Sequence, residues 1–163
     1  MNRLWLRVTL VLLLFVLAAS TADAQRRRRR PAAIGGSTLR FGPHIGYNFD
    51  VDELALGAQL SLPLLRDIDL YPTFDYYFLD IGSLWALNFD LKYRPPSRFG
   101  TWYLGGGLNY LRRSAGGTSA GDTNLNLLTG LEGRRGRTRP YVEARFILGD
   151  DNMFQLVGGF SWR

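Results

Sequence analysis

The chain has 163 residues, a formal net charge of +6 and no cysteine. That length suits one domain, and a fold without cysteine must be held by its hydrogen bonds rather than by disulfides. The positive excess could suggest nucleic acid, but it sits in one place: Pro31 to Arg163 carries thirteen Lys or Arg against thirteen Asp or Glu, so no nucleic-acid partner is expected.

Residues 1–24 read as a cleaved secretory signal peptide. Arg3 and Arg7 supply a positive start, Val8 to Ala19 an apolar stretch, and Ala22-Asp23-Ala24 a small-x-small cleavage signal before Gln25. The apolar stretch is too short for a bilayer-spanning helix, which needs roughly 20 residues. Residues 25–38 (QRRRRRPAAIGGST) hold the Arg26–Arg30 run, have no periodicity, and read as a basic disordered linker on the periplasmic side.

From Leu39 onward, through residues 39–163, the chain alternates in eight runs of about ten residues. They are Leu39–Asp50, Glu53–Leu64, Asp67–Phe78, Leu84–Arg94, Thr101–Arg113, Thr123–Arg135, Arg139–Leu148 and Met153–Trp162. Period two puts one set of side chains on each face of a strand. One set is bulky and apolar, as in Trp85, Leu87, Phe89, Leu91 and Tyr93. The other is small or polar, as in Ala86, Asn88, Asp90, Lys92 and Arg94. A barrel in a bilayer needs the bulky set outside, whereas a soluble barrel needs the reverse. Each run matches the 9–11 residues of a tilted membrane-crossing strand, and the number of runs is even. The fold expected is therefore all-β: an eight-stranded antiparallel up-and-down transmembrane β-barrel.

Several details follow from this threading. Gly42, Gly46, Gly57, Gly105, Gly107, Gly130 and Gly159 fall on the inner face, where space is scarce. Pro43 lies mid-strand, lacks a ladder donor, and predicts a bulge or a distorted pair. The links after runs one, three, five and seven are acidic (Asp50, Asp52, Glu53, Asp80, Asp122, Asp150, Asp151) and are placed outside. Those after runs two, four and six are basic (Arg66, Arg98, Arg135, Arg137) and are placed in the periplasm. The fifth link, Ser114–Asp122, is the one long loop expected. Membrane-interface aromatics fall into two girdles: Phe41, Tyr93, Trp102 and Trp162 at the periplasmic rim, and Phe49, Phe78, Trp85, Tyr110 and Phe154 at the outer rim.

On signal peptide, strand count, alternation, girdles and the aromatics Phe160 and Trp162 near the C-terminus, the chain resembles the small eight-stranded bacterial outer-membrane barrels. That group includes the outer-membrane protein A transmembrane domain, outer-membrane protein X and the opacity-type proteins. The resemblance implies a monomer in the bacterial outer membrane, in contact with membrane lipid including lipopolysaccharide. It also implies a terminal strand read by the barrel assembly machinery, although here Arg163 follows Trp162.

Arg40, Asp69, Asp75, Asp90, Lys92, Arg94, Glu132, Arg134, Glu143 and Arg145 project inward and form an expected lumen charge network, since a buried unpaired charge is very costly. A plug of salt bridges filling the lumen gives a structural or surface-interaction protein. The alternative is a narrow pore gated by the same charges. Two further alternatives are a lipid A-modifying enzyme and a secreted soluble barrel for an apolar ligand. The enzyme would need His44 and Ser61 together on the lipid-facing wall, but both thread inward, so no catalytic residues and no enzyme are expected. No phosphate-binding loop or metal-ligand cluster stands out, so no cofactor and no metal are expected, and the acidic outer links read as a solvated rim rather than a cation site.

Overall fold

A computed structural model of the protein describes residues 38–65, 67–95, 101–133 and 136–163. The expected signal peptide 1–24, the expected linker as far as residue 37, and Arg66, Arg98, Arg134 and Arg135 lie outside the described residues.

Eight strands form in chain order: β1 (Arg40–Asn48), β2 (Glu53–Pro63), β3 (Ile68–Tyr77), β4 (Ser83–Tyr93), β5 (Thr101–Ala115), β6 (Thr118–Glu132), β7 (Thr138–Leu148) and β8 (Met153–Trp162). Each pairs antiparallel with the next, and β1 pairs with β8, so the sheet closes with no free edge along the wall. Alternation becomes a two-sided wall. On β4, Leu84, Ala86, Asn88, Asp90 and Lys92 are buried inward, while Phe89, Leu91 and Tyr93 are exposed outward. The same parity leaves Leu56, Leu104, Leu108, Leu125, Leu127 and Phe146 exposed around the outside.

Pro43 produces a break rather than a bulge. Phe41 pairs with Trp162 and His44 with Gly159 in one continuous register, and Gly42 and Pro43 between them are skipped. The carbonyl of Phe160, opposite Pro43 by that register, accepts a hydrogen bond from Gln59 Nε2 at 3.4 Å. A lumen side chain thus replaces the donor that proline lacks.

The fifth link is not the long loop expected. β5 and β6 stay paired as far as Ala115 and Thr118, joined by Gly116 and Gly117 alone. Both glycines have positive φ (58° and 82°), the backbone of a tight hairpin turn whose twist matches its strands. Residues Ser114–Asp122 are rich in Gly and Ser because they form a projecting ribbon exposed on both faces, where alternation carries no information. β7 pairs with β6 only from Leu148 and Leu125 onward, so the ribbon stands beyond its β7 neighbour.

Gly117→Val should therefore lower stability by about 1–2 kcal/mol, because a β-branched residue is forced to positive φ. The urea midpoint of the detergent-solubilised barrel measures this, and the barrel should still close.

Candidate functional site

The candidate site is the lumen. Its wall turns inward five acids, Asp69, Asp75, Asp90, Glu132 and Glu143, all of them buried. Arg40, Lys92 and Arg145 are buried with them, and Arg94 and Arg139 are half-buried. These groups form layers between the terminal end, where β1 begins and β8 finishes, and the end that holds the β5–β6 hairpin.

At the terminal end Glu132 is the hub. Its carboxylate lies 3.3 Å from Arg94 Nη2, 3.3 Å from Arg139 Nη1, 3.7 Å from Arg40 Nε and 3.8 Å from Lys92 Nζ. Arg94 also pairs with Asp69, which accepts a hydrogen bond from Ser61. Arg40 reaches across to Ser161, donating to its hydroxyl at 3.3 Å.

Above Glu132, the Lys92 ammonium enters a cage of tyrosines. It lies 3.6 Å from the ring centre of Tyr103, 4.2 Å from that of Tyr71 and 5.6 Å from that of Tyr141. A desolvated cation over aromatic faces gains roughly 2 kcal/mol. The Tyr103 hydroxyl donates to Glu143 at 2.9 Å and ties this layer to the next.

The middle layer centres on Arg145, whose side chain is fully buried. It bridges Glu143 at 2.7 Å and Asp75 at 3.2 Å. Asp75 is also met by His44 Nε2 at 2.7 Å and by Asn88 Nδ2 at 2.9 Å. The His44 contact exists because Gly57 stands between the two strands: a Cβ there would overlap the imidazole and the Phe74 carbonyl. Asn88, Asn109, Asn124 and Asn126 then form a ladder of amides, with bonds of 2.7 to 3.2 Å among them, and Asn126 donates to Asp90 at 3.1 Å.

At the hairpin end the lumen is apolar. Ala55, Tyr77, Leu84, Ala86, Leu111, Ile147 and Met153 form a buried cluster, with Val51 and Leu79 packed against it. Alternation already turns Tyr71, Tyr77, Ala55 and Ala86 inward, and Tyr103, Tyr141, Leu84, Leu111, Ile147 and Met153 are additions to that set. Tyr103 and Tyr141 sit in bulky stretches (Trp102-Tyr103-Leu104 and Pro140-Tyr141-Val142), where alternation gives no contrast between faces.

Nine of the ten residues named for the lumen network lie in these layers, and Arg134 is outside the described residues. Arg139, to which no role is assigned from its place in the alternation, joins them through Glu132. Ser61 and His44 are both inside but serve different carboxylates, Asp69 and Asp75, and form no nucleophile–base pair. Outside the wall, Phe41 and Trp162 meet edge-on at 6.1 Å at the terminal end. At the hairpin end Phe49 stacks on Phe154 at 5.4 Å, and Trp85 lies 5.8 Å from Tyr110. Tyr93, Trp102 and Phe78 are exposed on the same outer surface. Tyr47 keeps outward parity but is buried under Phe49, and its hydroxyl bonds to Asp52.

Known structures of this architecture are found by shape. The N-terminal β-barrel domain of Pseudomonas aeruginosa OprF superposes with a TM-score of 0.60 at 15% identity, over 76% of this chain and 96% of that domain. Neisserial surface protein A (NspA) follows with a TM-score of 0.58 at 12% identity, over 76% of this chain and 94% of that one. The chain has the fold of the small eight-stranded outer-membrane barrels. No protein-family model matches the sequence, and no curated protein matches it.

Breaking the middle layer has a defined signature. Arg145→Met should cost about 3–5 kcal/mol, because it leaves the buried Asp75 and Glu143 carboxylates without the guanidinium they share. The triple variant Arg145→Met, Asp75→Asn, Glu143→Gln should recover a large part of that loss. Urea midpoints of the single and triple variants measure the difference.

Proposed function

We propose that the protein is an integral barrel of a bacterial outer membrane whose lumen is closed by its own side chains, and that its role is structural or one of surface interaction. The observation that carries this reading is the packed lumen. From Arg40 to the Leu84–Met153 cap, charged, amide, aromatic and apolar layers follow one another, and the groups at the centre are fully buried. A water-filled channel would expose the carboxylates of Asp75 and Glu143, and here both are sealed.

The membrane setting rests on the outer wall. Its leucines and phenylalanines are exposed in a continuous band between two aromatic girdles, a surface that water disfavours and hydrocarbon accepts. Closure removes the unpaired strand edges that hydrocarbon cannot solvate. Charge sets the orientation proposed: the hairpin end carries Asp50, Asp52, Asp80, Asp150 and Asp151 and faces outward, while the terminal end carries Arg94, Arg137, Arg139 and Arg163 and faces the periplasm. A cleaved signal, assembly by the barrel machinery and a monomeric state complete the proposal.

Two measurements test it. The protein extracted from the outer-membrane fraction should run as a compact band unboiled and shift on boiling in detergent. Reconstituted in planar bilayers, it should give no discrete conductance. Recovery in the soluble periplasm with no shift would overturn the membrane reading, and regular single-channel steps would overturn the plug.

A further inference from the structure

The lipid-facing wall of β5 and β6 is not uniform. Gly106 has outward parity between Leu104 and Leu108, so the wall is indented there. The indentation opens a shallow apolar groove of about 420 Å³, lined by Gly106, Leu108, Leu125, Leu127 and Leu148 among others. Higher on the same face of β5 stand Tyr110 and then Arg112, both exposed.

Arg112 does not stand alone. Its Nη2 donates to the Ser119 hydroxyl at 3.3 Å across the hairpin. The Tyr110 hydroxyl lies over Gly121, 2.6 Å from where a Cβ would be, and Gly121 is the register partner of Arg112. On the other side Arg112 pairs with Trp85, whose ring packs near Tyr110. A guanidinium and two hydroxyls thus converge on the outer wall just beyond the girdle. The rest of this end is acidic: the described Lys and Arg there are Arg112 and Arg113, and Arg113 has inward parity. Asp122, the nearest acid by register, lies opposite Leu111 on the inward-facing set.

The spacing matches one lipid molecule. From Gly106 to Arg112 a strand advances about 20 Å. At a tilt near 40° that is roughly 15 Å of depth, half of a hydrocarbon core of about 30 Å. The groove then lies near mid-membrane, and the guanidinium lies at the level of the outer headgroups.

The geometry points to a lipid site on this wall: one phosphorylated glycolipid of the outer leaflet, its phosphate held by Arg112 with Ser119 and Tyr110, and an acyl chain laid in the groove at Gly106. The inference rests on the outer-membrane reading. Phosphate suits Arg112 because a guanidinium offers paired donors to its oxygens, and the surrounding acidic rim leaves this the attractive point for an anion.

The test uses the full mature protein extracted in detergent, titrated with bisphosphorylated lipid A, with bound lipid counted by native mass spectrometry. Arg112→Gln should weaken binding about tenfold, as expected for loss of a charge-assisted contact. Leu125→Ala, at an exposed groove position, should weaken it severalfold. Dephosphorylated lipid A should bind the wild type weakly and be indifferent to Arg112→Gln. Wild-type binding by Arg112→Gln overturns the site, and equally tight binding of phosphatidylglycerol overturns the glycolipid as its occupant. Each variant is also run boiled and unboiled: loss of the heat shift in the wild type means the membrane reading has failed, whereas a normal shift with unchanged lipid binding overturns the lipid site alone.

Discussion

Eight strands close on a lumen that side chains alone can fill, so each large inward group needs a gap beside it. The inward glycines supply those gaps. Gly57 makes room for His44 to reach Asp75, Gly130 for the Tyr103 ring, and Gly107 for the Asp90 carboxylate. The outer wall obeys the opposite constraint. In the membrane proposed for it, that wall has lateral space but no water, and it carries the bulk. The alternation of small and large residues is one arrangement meeting both demands.

Filling the lumen with charge raises a second problem, since each ion must be desolvated. Two devices meet it. Pairs are shared, so that Glu132 serves Arg40, Lys92, Arg94 and Arg139 at once. Aromatic faces take the place of water around Lys92. The apolar cap at the hairpin end then separates this polar interior from the outer rim. Such a network is weak evidence for stability, because the desolvation cost offsets much of the attraction. Its clearer physical consequence is that the central charged groups are held out of water by one another.

Much of this was legible in the sequence because a strand reports parity directly. Burial along β3 and β4 alternates residue by residue, and their inward residues Asp69, Asp75, Asp90 and Lys92 lie where parity puts them. Four features were hidden for separate reasons. Trp102-Tyr103-Leu104 is bulky throughout, so the inward turn of Tyr103 left no mark. The ribbon from Ser114 to Asp122 is exposed on both faces, and its strand character depends on a two-glycine turn. The partner of His44 was decided by register across three strands, and no spacing along the chain reports that. The inward aliphatics Leu84, Leu111 and Ile147 also obey parity, but their chemistry matches the outer set and masks their face.

The proposed wall has lipid on one side and a sealed lumen on the other. The chain has no cysteine, so single cysteines placed along β4 can each carry one spin label. In reconstituted membranes, labels at Leu87, Phe89 and Leu91 should be reached by oxygen dissolved in lipid. Labels at Asn88 and Asp90 should be reached neither by oxygen nor by a water-soluble nickel complex. Access of the nickel complex to Asn88 and Asp90 would contradict the account, because it would mean an open aqueous lumen or a barrel with its faces reversed.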